Sequence, residues 1–454
     1  MNRLINTLKN IWKIEELRKR ILVTLGLILV YRIGAFIVLP GVVASKISMG
    51  NPDNPGDIVQ IINMFTGGAF KAASIFALGI MPYITASIVI QVLGFAVPYF
   101  QRLQTKEGES GRKKITQITR ILTVFITLVQ GSAYLTMISS KGAIDPNVSV
   151  SVFWFSNIII LMTGTIFAMW LGERITERGV GNGVSILILI GIISRLPQSF
   201  ITEFTSKIGK NGGLVAFVLE MVFLFLVVLA TVMITQAIRR IPIQFAKRMV
   251  GRGTSNMPVA GARDFIPIKL NASGVMPIIF AQALMMLPAM IGGFFSKSGT
   301  PNSFVMSLSD FTSVPYNVIY FVLIVLFTYV YTALIVDPKQ YSEYLKQQNA
   351  FIPGVKPGRS TAEFIDTITS RITLPGAIFL GIIAIMPAFA NIFGVNRAFA
   401  YFFGGTSLLI LVGVALDTLQ QIESYLLMRK YDGLIKSGKL QGRGSGLQGI
   451  GASM

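Results

Sequence analysis

Ten apolar stretches run through the chain, centred near Leu29, Ala86, Leu128, Ile160, Leu189, Phe225, Leu284, Leu326, Ile382 and Leu411. No other feature restricts the fold so far. A bilayer's hydrocarbon core is about 30 Å thick, and a helix rising about 1.5 Å per residue crosses it with roughly 20 apolar residues. Hydrocarbon offers no partner to a peptide N–H or C=O, so a spanning segment satisfies its own backbone as a helix or closes into a barrel. The runs lack the period-two alternation of barrel strands. Of 454 residues, 52% are hydrophobic and 13% charged, against about a quarter charged in soluble domains. The expected class is an all-α integral membrane protein with ten transmembrane helices.

Charge sets the orientation. With a cytoplasmic N-terminus and ten spans, most of the 40 Lys and Arg residues fall inside: in both termini and in the loops near Arg112, Arg174, Arg248 and Lys356. This is the positive-inside bias, so both termini are expected in the cytoplasm. Residues 1–20 are basic and amphipathic and lack the apolar core and cleavage site of a signal peptide, so they are expected to lie along the inner membrane surface. Residues 426–454 form a cytoplasmic tail with a glycine-rich end. The chain has no Cys and no His, which excludes thiolate and imidazole metal sites, Cys nucleophiles and Ser-His-Asp catalysis. It also has no G-x-x-x-x-G-K-[ST] phosphate loop, and no cofactor is expected.

Three irregularities break the plain pattern of spans. Residues 58–97 are too long an apolar run for one helix, yet no charged loop divides them into two. Within them "FTGGAFK" places Gly67 and Gly68, each weakening a helix by about 1 kcal/mol relative to Ala, beside Lys71, which would cost about 2.5 to 3.5 kcal/mol at the bilayer centre. Residues 61–70 are therefore read as a short re-entrant helix held inside protein, with the true span beginning near Ser74; an outer-surface helix with Lys71 snorkelling is the alternative. The fifth stretch, "VSILILIGII", stops at roughly ten residues before Ser194 and Arg195, short of the roughly 20 a span requires, and is also expected inside protein. Finally, "GIMPYI" at residues 79–84 recurs as "GVMPII" at 274–279 in a span of opposite direction. That is the signature of two inverted five-helix halves, here 21–200 and 201–425.

Two cytoplasmic loops exceed what topology requires. Residues 236–272 carry paired "IPIQF" and "IPIKL" segments around a basic, glycine-rich tip, the pattern of a two-stranded hairpin. Residues 337–372 contain "FIPGVKPGRSTAEFIDTITSR", a Pro/Gly turn followed by an amphipathic helix. Basic tips of this kind suit RNA phosphates or an acidic protein surface.

The segments "FTGGAFKAASIFALGIMPYITASIVIQ", "KEGESGRKKITQITR", "MWLGERITERGVGNGVSI", "FIPGVKPGR" and "YFFGGTSLLI" resemble the signature segments of the SecY/Sec61-alpha family, the channel subunit of the Sec protein translocon. The resemblance covers nearly the whole chain in order. It implies a protein-conducting channel of the bacterial cytoplasmic membrane that passes unfolded secretory polypeptides and releases membrane helices sideways. It further implies a plug at about residues 61–70, including Ile61, Phe65, Gly67, Gly68 and Phe70. Below the plug it implies a pore ring of Ile80, Ile84, Val184, Ile188, Ile279 and Ile410. Val184 departs from the family's more usual isoleucine. The lateral gate would lie between the second and third spans and the seventh and eighth, near Ser87, Gln91 and Gln282. Arg248, Arg252, Lys356 and Arg359 would meet the partners: the ribosome with its RNA, or the SecA motor. SecE and SecG subunits, signal peptides, nascent chains and the bilayer complete the implied contacts. Lys356 stands where the family turn usually has arginine, which keeps the charge and loses the bidentate fork.

The residues leave a small-solute secondary transporter as the alternative. Such proteins usually hold ionisable groups at mid-membrane. Here Glu220 and Asp417 are read as lying toward span ends and Arg32 as snorkelled or paired.

Overall fold

A computed structural model describes residues 12, 14–43, 63, 66–105, 108–140, 142–208, 213–245, 263–282, 284–285, 310 and 312–436. Every one of the ten apolar centres falls on a helix. In the N-terminal half these are α1 (Glu15–Gly34), α2 (Met81–Ala96), α4 (Gly108–Ser140), α5 (Val150–Arg178) and α6 (Gly183–Ile208), with the short α3 (Pro98–Thr105) between α2 and α4. In the C-terminal half they are α7 (Gly213–Gln236), α8 (276–282), α9 (Val314–Ile335), α11 (Arg359–Ile392) and α13 (Gly405–Lys436), with α10 (Pro338–Gln347) and α12 (Arg397–Ala400) as connecting helices. Seven of them, α4, α5, α6, α7, α9, α11 and α13, are long and apolar enough to cross a membrane. Large apolar side chains such as Phe155, Val215, Leu219 and Phe225 stand exposed on the outside, where lipid replaces water. Many hydroxyls inside the helices are satisfied locally. On α4 the buried Thr119, Thr123 and Thr127 donate to the carbonyls one turn back at 2.8, 2.7 and 2.7 Å, which removes the penalty of an unpaired polar group in an apolar setting.

One apolar core fills the N-terminal half between α4 and α5, a second fills the C-terminal half among α7, α8, α9, α11 and α13, and a third joins the halves through α1, α5, α6 and α13. The halves also touch where α2 meets α8 and α9, through Ile88, Phe280 and Tyr331.

Four expectations change. The second span begins at Met81 rather than near Ser74. Residues 66–80 form consecutive turns, because Gly67, Gly68, Ala73 and Gly79 all take positive φ and interrupt a helix. The fifth span is not short: α6 continues past Arg195 and Pro197 for 26 residues in all, so a boundary between the halves at residue 200 would cut a helix. The amphipathic helix of the second loop is not a separate element, since α11 runs unbroken from Arg359 into the membrane. Nor are the two loops separate knobs. Strands β1 (Ile238–Phe245) and β2 (Arg263–Lys269) form the expected antiparallel hairpin, with Ile241 opposite Ile266, and β3 (Ala350–Phe351) of the other loop pairs on the free edge of β1. Ile241, Ile243 and Ile268 pack with Leu345, Ile352 and Ile365 into one shared core.

A candidate pore constriction and plug seat

The repeated hexapeptide proves to be a repeated helix start. Gly79 and Gly274 take φ of +52° and +64°, the helices begin at Met81 and Met276, and Pro82 and Pro277 occupy the second helical position. Proline has no N–H to waste there, and its fixed φ suits the first turn. The start of α6 is fixed differently. Asn182 Oδ1 accepts from the N–H groups of Val184 at 3.1 Å and Ser185 at 3.4 Å, an N-cap. The N–H of Gly181 donates to Gln421 Oε1 of α13 at 2.8 Å.

These starts bring together all six aliphatic residues of the expected ring. Ile80 precedes α2 and Ile84 follows one turn later; Val184 and Ile188 lie one turn apart on α6; Ile279 comes from α8 and Ile410 from α13. They belong to a single apolar cluster, with Ile80, Ile188 and Ile410 buried and the other three partly so. Behind them Gly172 of α5 leaves no spare room: a Cβ there would lie 3.3 Å from Val184 and 3.4 Å from Ile80. None of the six side chains carries a polar atom. Such a cluster can pack, dewet and deform, and it can neither catalyse nor recognise a polar ligand.

The irregular segment packs against it through Ala69, Ile75 and Phe76. Asn63 is helical and residues 66–80 are turns, with Thr66, Ala69, Ala73, Ser74 and Ala77 buried. Ile61 and Phe65 lie outside the described residues. Non-helical backbone inside a membrane must find its partners in protein, and here it does. Tyr134 of α4 donates to the Phe70 carbonyl at 2.7 Å, Ile75 N–H to Ile37 O at 2.9 Å, and Leu39 N–H to Ala73 O at 2.8 Å. Lys71 points outward, exposed. Arg32 of α1 donates to the Gly67 carbonyl at 3.2 Å, and Arg195 of α6 reaches Asn63 Oδ1 at 3.5 Å. Sequence reasoning read Arg32 as snorkelled or paired without naming a partner and gave Arg195 no role; their only signal was a lone cation within or beside an apolar run.

At the α2 seam Gln91 donates to Ser87 at 3.2 Å and accepts from Tyr331 of α9 at 3.0 Å, while Phe280 and Tyr331 meet edge to face at 5.0 Å. Gln282 is half-buried on α8. Tyr331 was not anticipated. Around the start of α11, beside the three-stranded sheet, Lys356 and Arg359 are exposed, and Arg359 pairs with Glu363 at 3.0 Å; Arg248 and Arg252 lie outside the described residues. A buried charge cluster was half missed. Lys207 Nζ lies 2.7 Å from Glu220 and 3.5 Å from the fully buried Glu203, and it donates to Gly394 O at 3.0 Å. Asp417 is exposed.

Comparison with known proteins supplies the lineage. The SecY family profile matches residues 74–419, and the protein translocase subunit SecY of Streptomyces coelicolor is 41% identical over 442 residues, 94% of this chain and 98% of that protein. The chain belongs to the SecY family. The SecY of Thermus thermophilus is likewise 41% identical, over 96% of this chain and 99% of that one. A solved protein-conducting channel shares the fold at 17% identity and a TM-score of 0.60, covering 92% of this chain and 94% of its own. So does a SecY channel whose plug domain stabilises its closed state and maintains a membrane seal, with the same identity, score and coverage. Sec61 in the canine ribosome-channel complex matches at 15% identity and 0.56, again over 92% and 94%. The fold is thus the ten-helix SecY membrane fold with a plug.

Proposed function

We infer that this SecY chain is the protein-conducting channel of a translocase, passing unfolded polypeptides across the cytoplasmic membrane and releasing membrane helices sideways into lipid. The observation that carries the reading is the joining of six aliphatic side chains, from both halves of the molecule, against a buried non-helical segment. An aliphatic constriction excludes water and ions by dewetting, yet closes around any chain without asking for a sequence. In this reading Ile80, Ile84, Val184, Ile188, Ile279 and Ile410 are the pore ring, residues 61–70 are the plug, and Ser87, Gln91 and Gln282 border the lateral gate. The halves divide after α6, and both termini are cytoplasmic. The chain is not an enzyme and takes its energy from outside, from a translating ribosome or the SecA ATPase docked on the composite cap near Arg248, Arg252, Lys356 and Arg359. SecE and SecG are its partner subunits. Ribosome docking has support among the structural neighbours, since Sec61 was solved in a canine ribosome-channel complex.

The test is ion leak and protein import in liposomes containing the channel with SecE and SecA. Replacing Ile84 and Ile188 together by Asn should wet the constriction and raise resting leak. Asn at Val92 and Ile193, exposed on the same two helices, is the control. Equal leak in both sets would make these isoleucines packing residues.

A further inference from the structure

The turn at Gly67 and Gly68 is held by cations from two different helices. Arg32 Nη1 of α1 donates to the Gly67 carbonyl at 3.2 Å, with Ser194 Oγ at 3.5 Å from the same oxygen. Arg195 Nη2 of α6 donates to Asn63 Oδ1 at 3.5 Å. Asn63 is part of the same turn, since its side chain accepts from Lys71 N–H at 2.9 Å and its carbonyl from Gly68 N–H at 2.8 Å. The glycine pair exists for these contacts. Gly67 and Gly68 take φ of +63° and +96°. A Cβ on Gly67 would come within 2.7 Å of Arg32 Nη1, and one on Gly68 would overlap the Arg195 guanidinium. Among the described residues neither arginine forms an ion pair with a carboxylate. Arg195 also donates to Gln198 at 2.9 Å, and Arg32 lies over the Phe36 ring at 5.3 Å.

We propose that Arg32 and Arg195 are positioning residues that latch the plug in its seat. The proposal rests on the channel reading. A guanidinium in partly buried surroundings needs acceptors, and the plug turn supplies them as neutral dipoles. Charge-to-carbonyl bonds are stronger than neutral hydrogen bonds and weaker than a buried ion pair, so the turn is held firmly and still releases. When the turn leaves, the two cations are hydrated by the water that enters, which makes the release reversible.

The absence of native cysteine allows a clean test on the full channel with its partner subunits in liposomes. Ala69→Cys, fully buried in the seated turn, reports plug position to a membrane-impermeant thiol reagent added outside. Ala168→Cys, equally buried on α5, reports general loosening. Arg32→Gln or Arg195→Gln should each raise labelling of the Ala69→Cys site by about tenfold or more, leave the Ala168→Cys site unchanged, and raise resting ion leak. Gly68→Ala should reproduce this, and adding Arg195→Ala to it should change little further. Unchanged labelling at the Ala69→Cys site, equal gains at both sites, or fully additive effects of Gly68→Ala and Arg195→Ala would overturn the latch. Faster labelling without leak would uphold the latch and refute the plug as the seal.

Discussion

At the scale of single residues, the sharpest energetic statement concerns Lys207. It bridges Glu203 and Glu220, whose side chains are 0% and 9% exposed, while being only 12% exposed itself. Glu203 also accepts from the Asn396 N–H at 2.9 Å, so the cluster ties α6 and α7 to the turn before α12. Breaking a buried ion pair from one side leaves an uncompensated charge and costs about 3 to 5 kcal/mol. Lys207→Met is therefore expected to lower the thermal unfolding temperature of the purified channel sharply. Glu203→Gln keeps an acceptor for Asn396 and leaves Lys207 paired with Glu220, so a much smaller loss should appear in the same melt. A loss from Lys207→Met no larger than that from Glu203→Gln would mean that the cluster is not the clamp described.

At the scale of elements, the cap is where charge should act. Reversing Arg252 and Lys356 to Glu together is expected to weaken ribosome or SecA binding several-fold at low salt. The difference should shrink as salt rises, since exposed charges are screened over about 10 Å at 0.1 M. Equal affinity at low salt, measured by co-sedimentation, would return these charges to a purely topological role. This scale also shows what the sequence could reveal. The ten helices were legible because lipid enforces long apolar runs, and the hairpin because "IPIQF" and "IPIKL" alternate on either side of a turn. The third strand was not legible, since two residues, Ala350 and Phe351, carry no periodicity. The start of α2 was misplaced because apolar composition cannot distinguish buried turns from helix; only the positive φ of Ala73 and Gly79 does. The grouping of six aliphatic residues from four helices in one cluster was legible only through family resemblance, and composition alone would have left each one a packing residue. The partners of the two arginines at the plug turn and of Tyr331 at the seam were not legible because they lie 35, 132 and 240 residues away.

At the scale of the whole molecule, the halves meet where α6 packs on α13 and, among the described residues, where α2 meets α8 and α9 through Ile88, Phe280 and Tyr331. By the family resemblance the α2 side is the one expected to part. In this cysteine-free chain, Ser87→Cys combined with Gln282→Cys, once cross-linked, should block import, and reduction should restore it. Full import through a demonstrably locked channel would move the exit elsewhere. One feature of the cap has a mechanical corollary. Helix α11 carries exposed Arg359 at its first residue and ends at Ile392, 34 residues in all, about 51 Å long. Its first turn follows the exposed Lys356, its shaft lies along α9, which carries Tyr331, and Pro387 abuts Gly404 and Gly405 at the head of α13, the helix of Ile410. Pro375 and Pro387 lie inside it and donate no backbone hydrogen bond there. In the channel reading, a load on the exposed first turn of this helix would be passed along it to the start of the helix that carries Ile410.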